Sequence, residues 1–177
     1  LGRGLGALLG GDDLQFHMTR LEGLAMGLAA GEFPVRITPQ QMEGYGGLTA
    51  TMYPQLFLYP FAMLRLLDVS LMNCYKLLLC CINVGTAFLA YYAARNVCKS
   101  NRIALLMSFF YTFSLYRLTN MYTRAALGEV LAMTFLPVLI WGVYEILWGT
   151  RRWLVLVLGM TGVLWAHILT VEMCALF

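Results

Sequence analysis

The stretch from Leu77 to Ala94, LLLCCINVGTAFLAYYAA, contains no charged residue and decides the fold of this chain. The apolar run extends back to Met72 and is closed by Arg95. Because a helix needs about 20 predominantly apolar residues to cross a bilayer, this stretch predicts a transmembrane helix. The whole 177-residue chain has the same character, with 60% hydrophobic residues, 12% charged residues and a mean hydropathy of +0.72. These values favour a multi-pass membrane protein over a soluble domain and predict an all-α fold.

Three further apolar segments follow and complete a predicted set of about four transmembrane helices over residues 72–177. They are separated by short polar stretches and cover residues 103–116, 130–144 and 153–171. The Gly-rich residues 1–10 are too short to span a bilayer, and we expect them to be the outer end of a truncated first helix. We therefore expect residues 1–177 to form a single transmembrane domain, the N-terminal part of a longer chain.

Residues 11–71 are predicted to form an outer loop that carries two interfacial elements. In residues 13–31 apolar side chains recur at helical spacing beside an ionised face, which is typical of an amphipathic juxtamembrane helix. The segment 54–64 is apolar as well, but it is too short to span and is interrupted by Pro60. We expect this segment to be re-entrant or to lie at the interface.

Basic residues predict the orientation of the chain. Clusters at 95–102 and 151–152 are separated by two predicted helices and therefore lie on the same side, which the positive-inside rule makes cytoplasmic. The opposite, outer side then receives three acidic residues, Asp13, Glu129 and Glu172. This convergence predicts a polar site at the outer membrane face.

The segment GDDLQFHMTR, residues 11–20, concentrates ionisable residues in an otherwise apolar chain. Asp13, His17 and Arg20 are spaced i, i+4 and i+7, which brings all three to one face of a helix. Charges kept close to lipid are costly, so such a trio indicates a functional site.

A carboxylate at the membrane surface, close to a second acid and to arginines, is suited to act as a general base for a hydroxyl group. Arginines beside it are suited to hold a phosphate through paired, charge-assisted hydrogen bonds. The candidate arginines are Arg20, Arg36, Arg117 and Arg124. The alternative is structural: Asp13–His17 and Arg124–Glu129 are interfacial ion pairs that only fix loop conformation.

Other residues give weaker indications of chemistry. His167, on the last apolar segment, is either a substrate contact or a hydrogen-bonded histidine of the packing. The pair Asp12 and Asp13 has the oxygen ligands for a divalent ion, but no spacing in the chain predicts a metal site, and we expect no cofactor. The five cysteines are expected to be small buried hydrophobes. A net charge of +3 is too small to predict binding to nucleic acid.

Several phrases of the chain resemble a known group of proteins. They are GDDLQFHMTR, GEFPVRI, MYPQLFLYPF and YRLTNMYTRAALGE, followed by a histidine inside a later helix. In this order they resemble the YfhO-like bacterial multi-pass proteins, or those described as carrying a "6-pyruvoyl-tetrahydropterin synthase-related" membrane domain. More broadly, the plan is similar to the GT-C glycosyltransferase fold, in which an acidic residue lies in the first outer loop near a juxtamembrane helix.

The resemblance implies a glycosyltransferase of the bacterial plasma membrane with its site facing outside. Such an enzyme moves sugar from a polyprenyl-phosphate carrier, held among membrane lipids, to a cell-envelope glycan acceptor. The acidic loop residue would be Asp13 or Asp12, acting as base, and Glu129 would be the second acid, where many such enzymes have Asp. Tyr45 and Tyr53 would stack on the sugar.

Two other functions are compatible with the same residues. A transporter or flippase for a lipid-linked substrate predicts acids and arginines that face one another at the bilayer midplane. A non-catalytic protein of envelope assembly predicts binding through the same motif without turnover.

Overall fold

A computed structural model describes residues 11–38, 46–47 and 53–176, and all the regular secondary structure in these ranges is helical. The prediction of an all-α chain is confirmed for this part. The helices are α1 (Leu14–Ala29), α2 (Tyr59–Leu66), α3 (Leu71–Cys98), α4 (Asn101–Thr112), α5 (Leu115–Leu118), α6 (Leu127–Leu147), α7 (Trp153–Leu164) and α8 (Ile168–Leu176). A π-helical turn, Thr119–Thr123, continues α5. Thr38 and Gly47 form an isolated antiparallel bridge.

Two helices of the described ranges, α3 and α6, are long and apolar enough to cross a membrane. They have 28 and 21 residues, and at a rise of about 1.5 Å per residue both exceed the thickness of a hydrocarbon core. The predicted uncharged run 77–94 lies within α3. Of the predicted span 103–116, only the part up to Thr112 is in α4, because the backbone becomes extended at Ser114 before α5 begins.

Helices α3 and α6 run parallel to each other. Near the start of both, Leu78 and Ile82 of α3 share an apolar cluster with Leu127 and Val130 of α6. Farther along, the hydroxyl groups of Thr86 and Thr134 are 2.9 Å apart, and residues 90–97 line a small cavity together with residues 137–141. The two basic clusters, 95–102 and 151–152, therefore follow the same end of this helix pair, as predicted.

Helices α6 and α7 form a closely packed antiparallel pair that depends on small residues. A Cβ atom added to Gly159 would lie 2.7 Å from the backbone of Leu139, and one added to Gly162 would overlap the ring of Phe135. The helices thus approach backbone to backbone. The predicted continuous span 153–171 is interrupted, however, since α7 ends at Leu164 and α8 begins at Ile168.

Helix α1 packs against α2 and α3 and differs in one respect from the predicted amphipathic helix. Its apolar residues Leu21, Leu24 and Ala25 are buried in the main core, as expected for a stripe facing the protein. The face expected to be ionised and interfacial is buried too, since His17 and Arg20 are only 5% and 6% exposed. The helix ends at Ala29 before Gly31, which takes a left-handed conformation with φ of +81°.

Candidate functional site

A cavity of about 340 Å³ lies where the N-terminal ends of α1 and α6 meet, at the opposite end of the helix pair from the basic clusters. It brings together six of the residues predicted from the sequence. Its lining comprises Asp13, Phe16, His17, Tyr53, Arg124, Ala126, Gly128, Glu129 and His167.

Backbone pairing fixes Asp13 beside Arg124. The amide of Asp12 donates to the carbonyl of Thr123 at 3.3 Å, and the amide of Asp13 donates to the carbonyl of Arg124 at 3.0 Å. This pairing requires glycine at position 11, because a Cβ atom there would lie 2.5 Å from that of Ala125. The sequence Gly-Asp-Asp is thus a docking element that carries Asp13 to the cavity.

Glu129 is held by a network on its own side of the cavity. Its Oε2 atom accepts from Arg124 Nη1 at 3.1 Å and from Asn120 Nδ2 at 3.0 Å, and the Arg124 Nη1 group also donates to Asn120 Oδ1 at 2.6 Å. The carboxylate lies in the first turn of α6, where the helix dipole favours a negative charge. Its hydrogen bond raises the pKa of Arg124 above the ordinary value. The predicted Arg124–Glu129 ion pair is present.

The second predicted ion pair, Asp13–His17, is not among the ion pairs of the described residues. Burial, and then the charge of Arg20, lowers the pKa of His17 to about 3. Arg20 lies 3.3 Å from Nδ1 of His17, and since a guanidinium group has no acceptor, Nδ1 must accept. The imidazole proton is therefore on Nε2, and His17 is a neutral donor in the cavity wall.

Arg20 lies behind this wall, not among the lining residues, so the structure does not give it the predicted direct contact with phosphate. It donates to the carbonyl of Pro54 at 3.0 Å, and its guanidinium carbon is 5.0 Å from the ring centroid of Tyr53. Phe16 meets the same Tyr53 ring edge to face at 5.3 Å. Burial lowers the pKa of Arg20 to about 10, which leaves it cationic at neutral pH. Arg20 thus orients His17 and Tyr53.

The other predicted site residues are elsewhere. Arg117 is 1% exposed and donates to Asn83 Oδ1, Thr86 Oγ1 and the carbonyl of Thr112, so the expectation that it binds phosphate is corrected: its long side chain reaches into the helix bundle instead. Arg36 is exposed and lines a different cavity.

The predicted acidic residues also fall into those that line the cavity and those that do not. Asp12 is exposed and lies outside the cavity lining, although it is adjacent to Asp13. Glu172 is exposed on α8 and is also outside the lining, so two of the three acids, Asp13 and Glu129, line the cavity. Tyr45 lies outside the described residues.

His167 reaches the cavity from the turn between α7 and α8. Its ring packs against Gly128, where an added Cβ atom would be 3.0 Å from His167 Cδ2, and its Nδ1 atom is 2.9 Å from Thr170 Oγ1. His167 is thus hydrogen-bonded within the protein, as one of the two interpretations predicts, and it also lines the cavity, while its contact with a substrate stays a prediction.

Three further residues of the site, Asn120, Phe16 and Gly128, are not predicted by any motif of the sequence. Asn120 is fully buried and joins Arg124 to Glu129, and its only sequence signal is the i, i+4 spacing from Arg124 in the segment between α4 and α6. Phe16 and Gly128 act through packing, which leaves no polar signature in the sequence.

An apolar cavity of about 440 Å³ adjoins the polar one and shares Glu129 and His167 with it. It follows α6 away from the site, and its remaining lining is Tyr116, Met133, Leu136, Leu169, Thr170, Met173 and Cys174. The polar cavity therefore borders an apolar cavity whose lining suits an apolar chain.

Within the described ranges, no group of three histidine, cysteine or acidic side chains is arranged to hold a metal ion. No protein-family model, curated protein or solved structure matches the chain.

Proposed function

We propose that this chain forms the lipid-phosphate end of the active site of a GT-C-like membrane glycosyltransferase. The observation that carries the proposal is the polar cavity itself. Asp13, to whose carboxylate no described side chain donates a hydrogen bond, shares this cavity with Arg124, Glu129 and a neutral histidine. A free carboxylate beside an arginine provides the base and the anion contact that sugar transfer from a phosphate carrier requires.

The surface of the helices supports a membrane setting. Of the most apolar 18-residue stretch of each helix, only 39% is buried in α3 and 33% in α6. These helices are therefore not enclosed as in the core of a soluble protein. Helix α4 presents Leu105, Leu106 and Phe110 at exposures of 65%, 57% and 68%. Apolar surface of this extent is stable against lipid and unfavourable in water. With the basic end of α3 and α6 in the cytoplasm, the cavity faces the outside of a bacterial cell.

The lining residues then have distinct roles in the reaction. The acceptor hydroxyl loses its proton to the Asp13 carboxylate as its oxygen attacks the anomeric carbon of the sugar. The bond from that carbon to the carrier phosphate breaks, and the phosphate leaves with the electron pair. Arg124, oriented by Glu129, and Nε2–H of His17 stabilise the departing phosphate. The isoprenoid chain of the donor lies in the apolar cavity along α6, and Tyr53 supports the sugar ring.

The polar residues near the middle of α3 do not favour a flippase. Arg117, Asn83, Thr86 and Thr134 form a hydrogen-bonded cluster there. No carboxylate of the described ranges is part of this cluster, so it lacks the opposed acids and arginines expected of a midplane pathway.

A test of the proposal uses the purified full-length protein and a panel of polyprenyl-phosphate sugars. Sugar transfer, or release of sugar to water, is measured for the wild type and for the Asp13→Asn and Asp12→Asn variants. Asp12 is the matched control because it is adjacent and exposed but does not line the cavity. Activity that is lost in Asp13→Asn and kept in Asp12→Asn supports the proposal. Saturable binding of polyprenyl phosphate without turnover of any donor would instead indicate a non-catalytic envelope protein.

A further inference from the structure

Five cationic side chains gather at the end of α3 and α6 that faces away from the polar cavity. Two lie at the end of α3, one in the first turn of α4 and two between α6 and α7: Arg95, Lys99, Arg102, Arg151 and Arg152. No ion pair in the described part of the chain includes any of them. Arg95 donates a hydrogen bond to the side-chain oxygen of Asn101, which is a neutral partner. This group, the basic patch, therefore keeps its full positive charge.

The single carboxylate of this region, Glu145, is already engaged by neutral donors. It is the only acidic residue in the stretches 90–102 and 140–153, so five cations less one carboxylate leave a net charge of +4. Its Oε1 atom accepts from Trp141 Nε1 at 3.1 Å, and its Oε2 atom accepts from the amide and the hydroxyl of Thr150 at 2.9 and 2.8 Å. The positive charge of the patch therefore suits an anion from outside the chain.

An apolar cavity of about 160 Å³ lies between α3, α4 and α6 next to the basic patch. Its wall on α3 consists of small side chains, Ala90, Ala93 and Ala94, the last of which directly precedes Arg95. Met107 of α4 and Ile140 of α6 line the cavity as well, and their exposures of 49% and 63% show that it opens on the outer surface of the bundle.

The polar atoms in the cavity wall are satisfied within the protein. The hydroxyl of Tyr111 donates to the carbonyl of Met133 at 2.6 Å. That carbonyl has no helical donor because residue i+4 is Pro137. Trp141 donates to Glu145, as described above. A ligand in this cavity therefore meets apolar surface, which suits a hydrocarbon chain.

The position of the cavity along the helices corresponds to one leaflet of a bilayer. From Ala90 to the end of α3 at Cys98 is about 12 Å at about 1.5 Å per residue, less than half the thickness of a hydrocarbon core. Two tryptophans mark the adjoining interface, since Trp148 and Trp153 flank the turn that carries the basic patch and are 73% and 62% exposed.

We propose that the cavity and the basic patch together bind one anionic phospholipid of the cytoplasmic leaflet. An acyl chain occupies the apolar cavity, and the guanidinium and ammonium groups of the patch hold the phosphate. Charge complementarity and the adjoining apolar cavity together favour this occupant over a neutral lipid. The inference needs the membrane setting but not the proposed catalysis, because the site lies at the opposite end of α3 and α6 from Asp13.

Native mass spectrometry of the full-length protein in a non-ionic detergent measures the binding. Phosphatidylglycerol and phosphatidylcholine with the same acyl chains are titrated separately. We expect one phosphatidylglycerol to bind saturably and about 10-fold or more tightly than phosphatidylcholine, because several cations face its phosphodiester. Equal binding of the two lipids would overturn the inference, whether or not the protein transfers sugar.

Two lysines of the α3 region give a matched test of the basic patch. Lys99 follows α3 at the basic end, and Lys76 lies near the start of the same helix. Lys99→Gln should weaken phosphatidylglycerol binding about 5-fold, as expected for one cation close to a phosphate, and Lys76→Gln should leave it unchanged. An equal loss in both variants would show that only overall charge matters and would contradict a site at the basic end.

Two isoleucines of α6 test the acyl chain in the same way. Ile140 lines the cavity, whereas Ile146, which is also exposed, does not. Ile140→Trp should obstruct the cavity and weaken phosphatidylglycerol binding about 10-fold, and Ile146→Trp should bind as the wild type does. If Ile140→Trp unfolds at a lower temperature than the wild type, Met107→Trp in the same cavity replaces it.

Two further results would contradict the acyl-chain assignment. Glycerophosphoglycerol, the headgroup without its chains, should bind far more weakly than the whole lipid, and equal affinity would show that the cavity holds no chain. A stable dimer that retains no lipid, and that Ile140→Trp dissociates, would place a second copy of the chain on this surface instead.

Discussion

The buried neutral state of His17 predicts that acid destabilises the site. The side chain is 5% exposed, and burial together with the charge of Arg20 lowers its pKa to about 3, whereas in the unfolded chain it titrates at the ordinary value of 6.5. Below the unfolded pKa the unfolded chain therefore binds a proton that the folded chain excludes. The stabilisation is complete above about pH 6.5 and is lost progressively as the pH falls towards about 3.

The size of this effect follows from the two pKa values. A pH of about 5 lies about 1.5 units below the pKa of His17 in the unfolded chain. Proton binding there stabilises the unfolded state by about 2 kcal/mol, at roughly 1.4 kcal/mol per unit. For a domain of this size such a change lowers the unfolding temperature by about 4–8 °C.

The assay is thermal unfolding of the full-length protein in detergent, for wild type and His17→Gln, between about pH 8 and about pH 5. Glutamine is the matched variant because its carbonyl oxygen still accepts from Arg20 but does not titrate. As the pH falls, the free energy of unfolding of the wild type should decrease by about 2 kcal/mol more than that of His17→Gln. Parallel curves over this range would show that His17 is not held neutral, and the assignment of its Nε2 proton to the cavity would fail with it.

Two further substitutions test how the site is held. In Gly11→Ala the new Cβ atom would lie 2.5 Å from that of Ala125, so we expect a loss of about 1–3 kcal/mol in stability and a lower rate of sugar transfer. Gly85→Ala, whose nearest neighbour would be at 3.8 Å, is the control, and equal behaviour of the two variants would contradict the docking role of Gly11. Arg117→Met leaves Asn83 Oδ1 without its buried donor and should destabilise the protein by about 2 kcal/mol or more, measured by unfolding. Unfolding at the wild-type temperature would show that Arg117 is not the buried link between α3 and the segment 115–126 that precedes α6.

The fold was predictable where one periodic or apolar signal dominates. The uncharged run 77–94 predicts α3, and Gly31 predicts the end of α1. The break between α7 and α8 had no such signal, because residues 153–171 are apolar throughout and the interruption falls where His167 turns towards Gly128. Tertiary contact decides this boundary, and local composition does not.

The site was predictable in its members more than in their roles. The spacing of Asp13, His17 and Arg20 predicted one group, and Asp13 and His17 do line one cavity, but burial removes the charge expected of His17 and Arg20 lies behind the wall. Arg117 shows the same limit. Its position in the same polar stretch as Arg124 predicted a site residue. Its hydrogen-bond partner Asn83 is 34 residues away, and only the fold shows that the two side chains meet.

The most direct test of the account is the turnover number for sugar transfer in Asp13→Asn, measured beside Asp12→Asn at saturating donor. If Asp13 is the general base, its substitution should reduce turnover by about 10²–10⁴-fold, with donor binding retained and Asp12→Asn close to wild type. Turnover in Asp13→Asn that equals the wild type, in a protein of unchanged stability, would contradict the assignment of this cavity as the catalytic site.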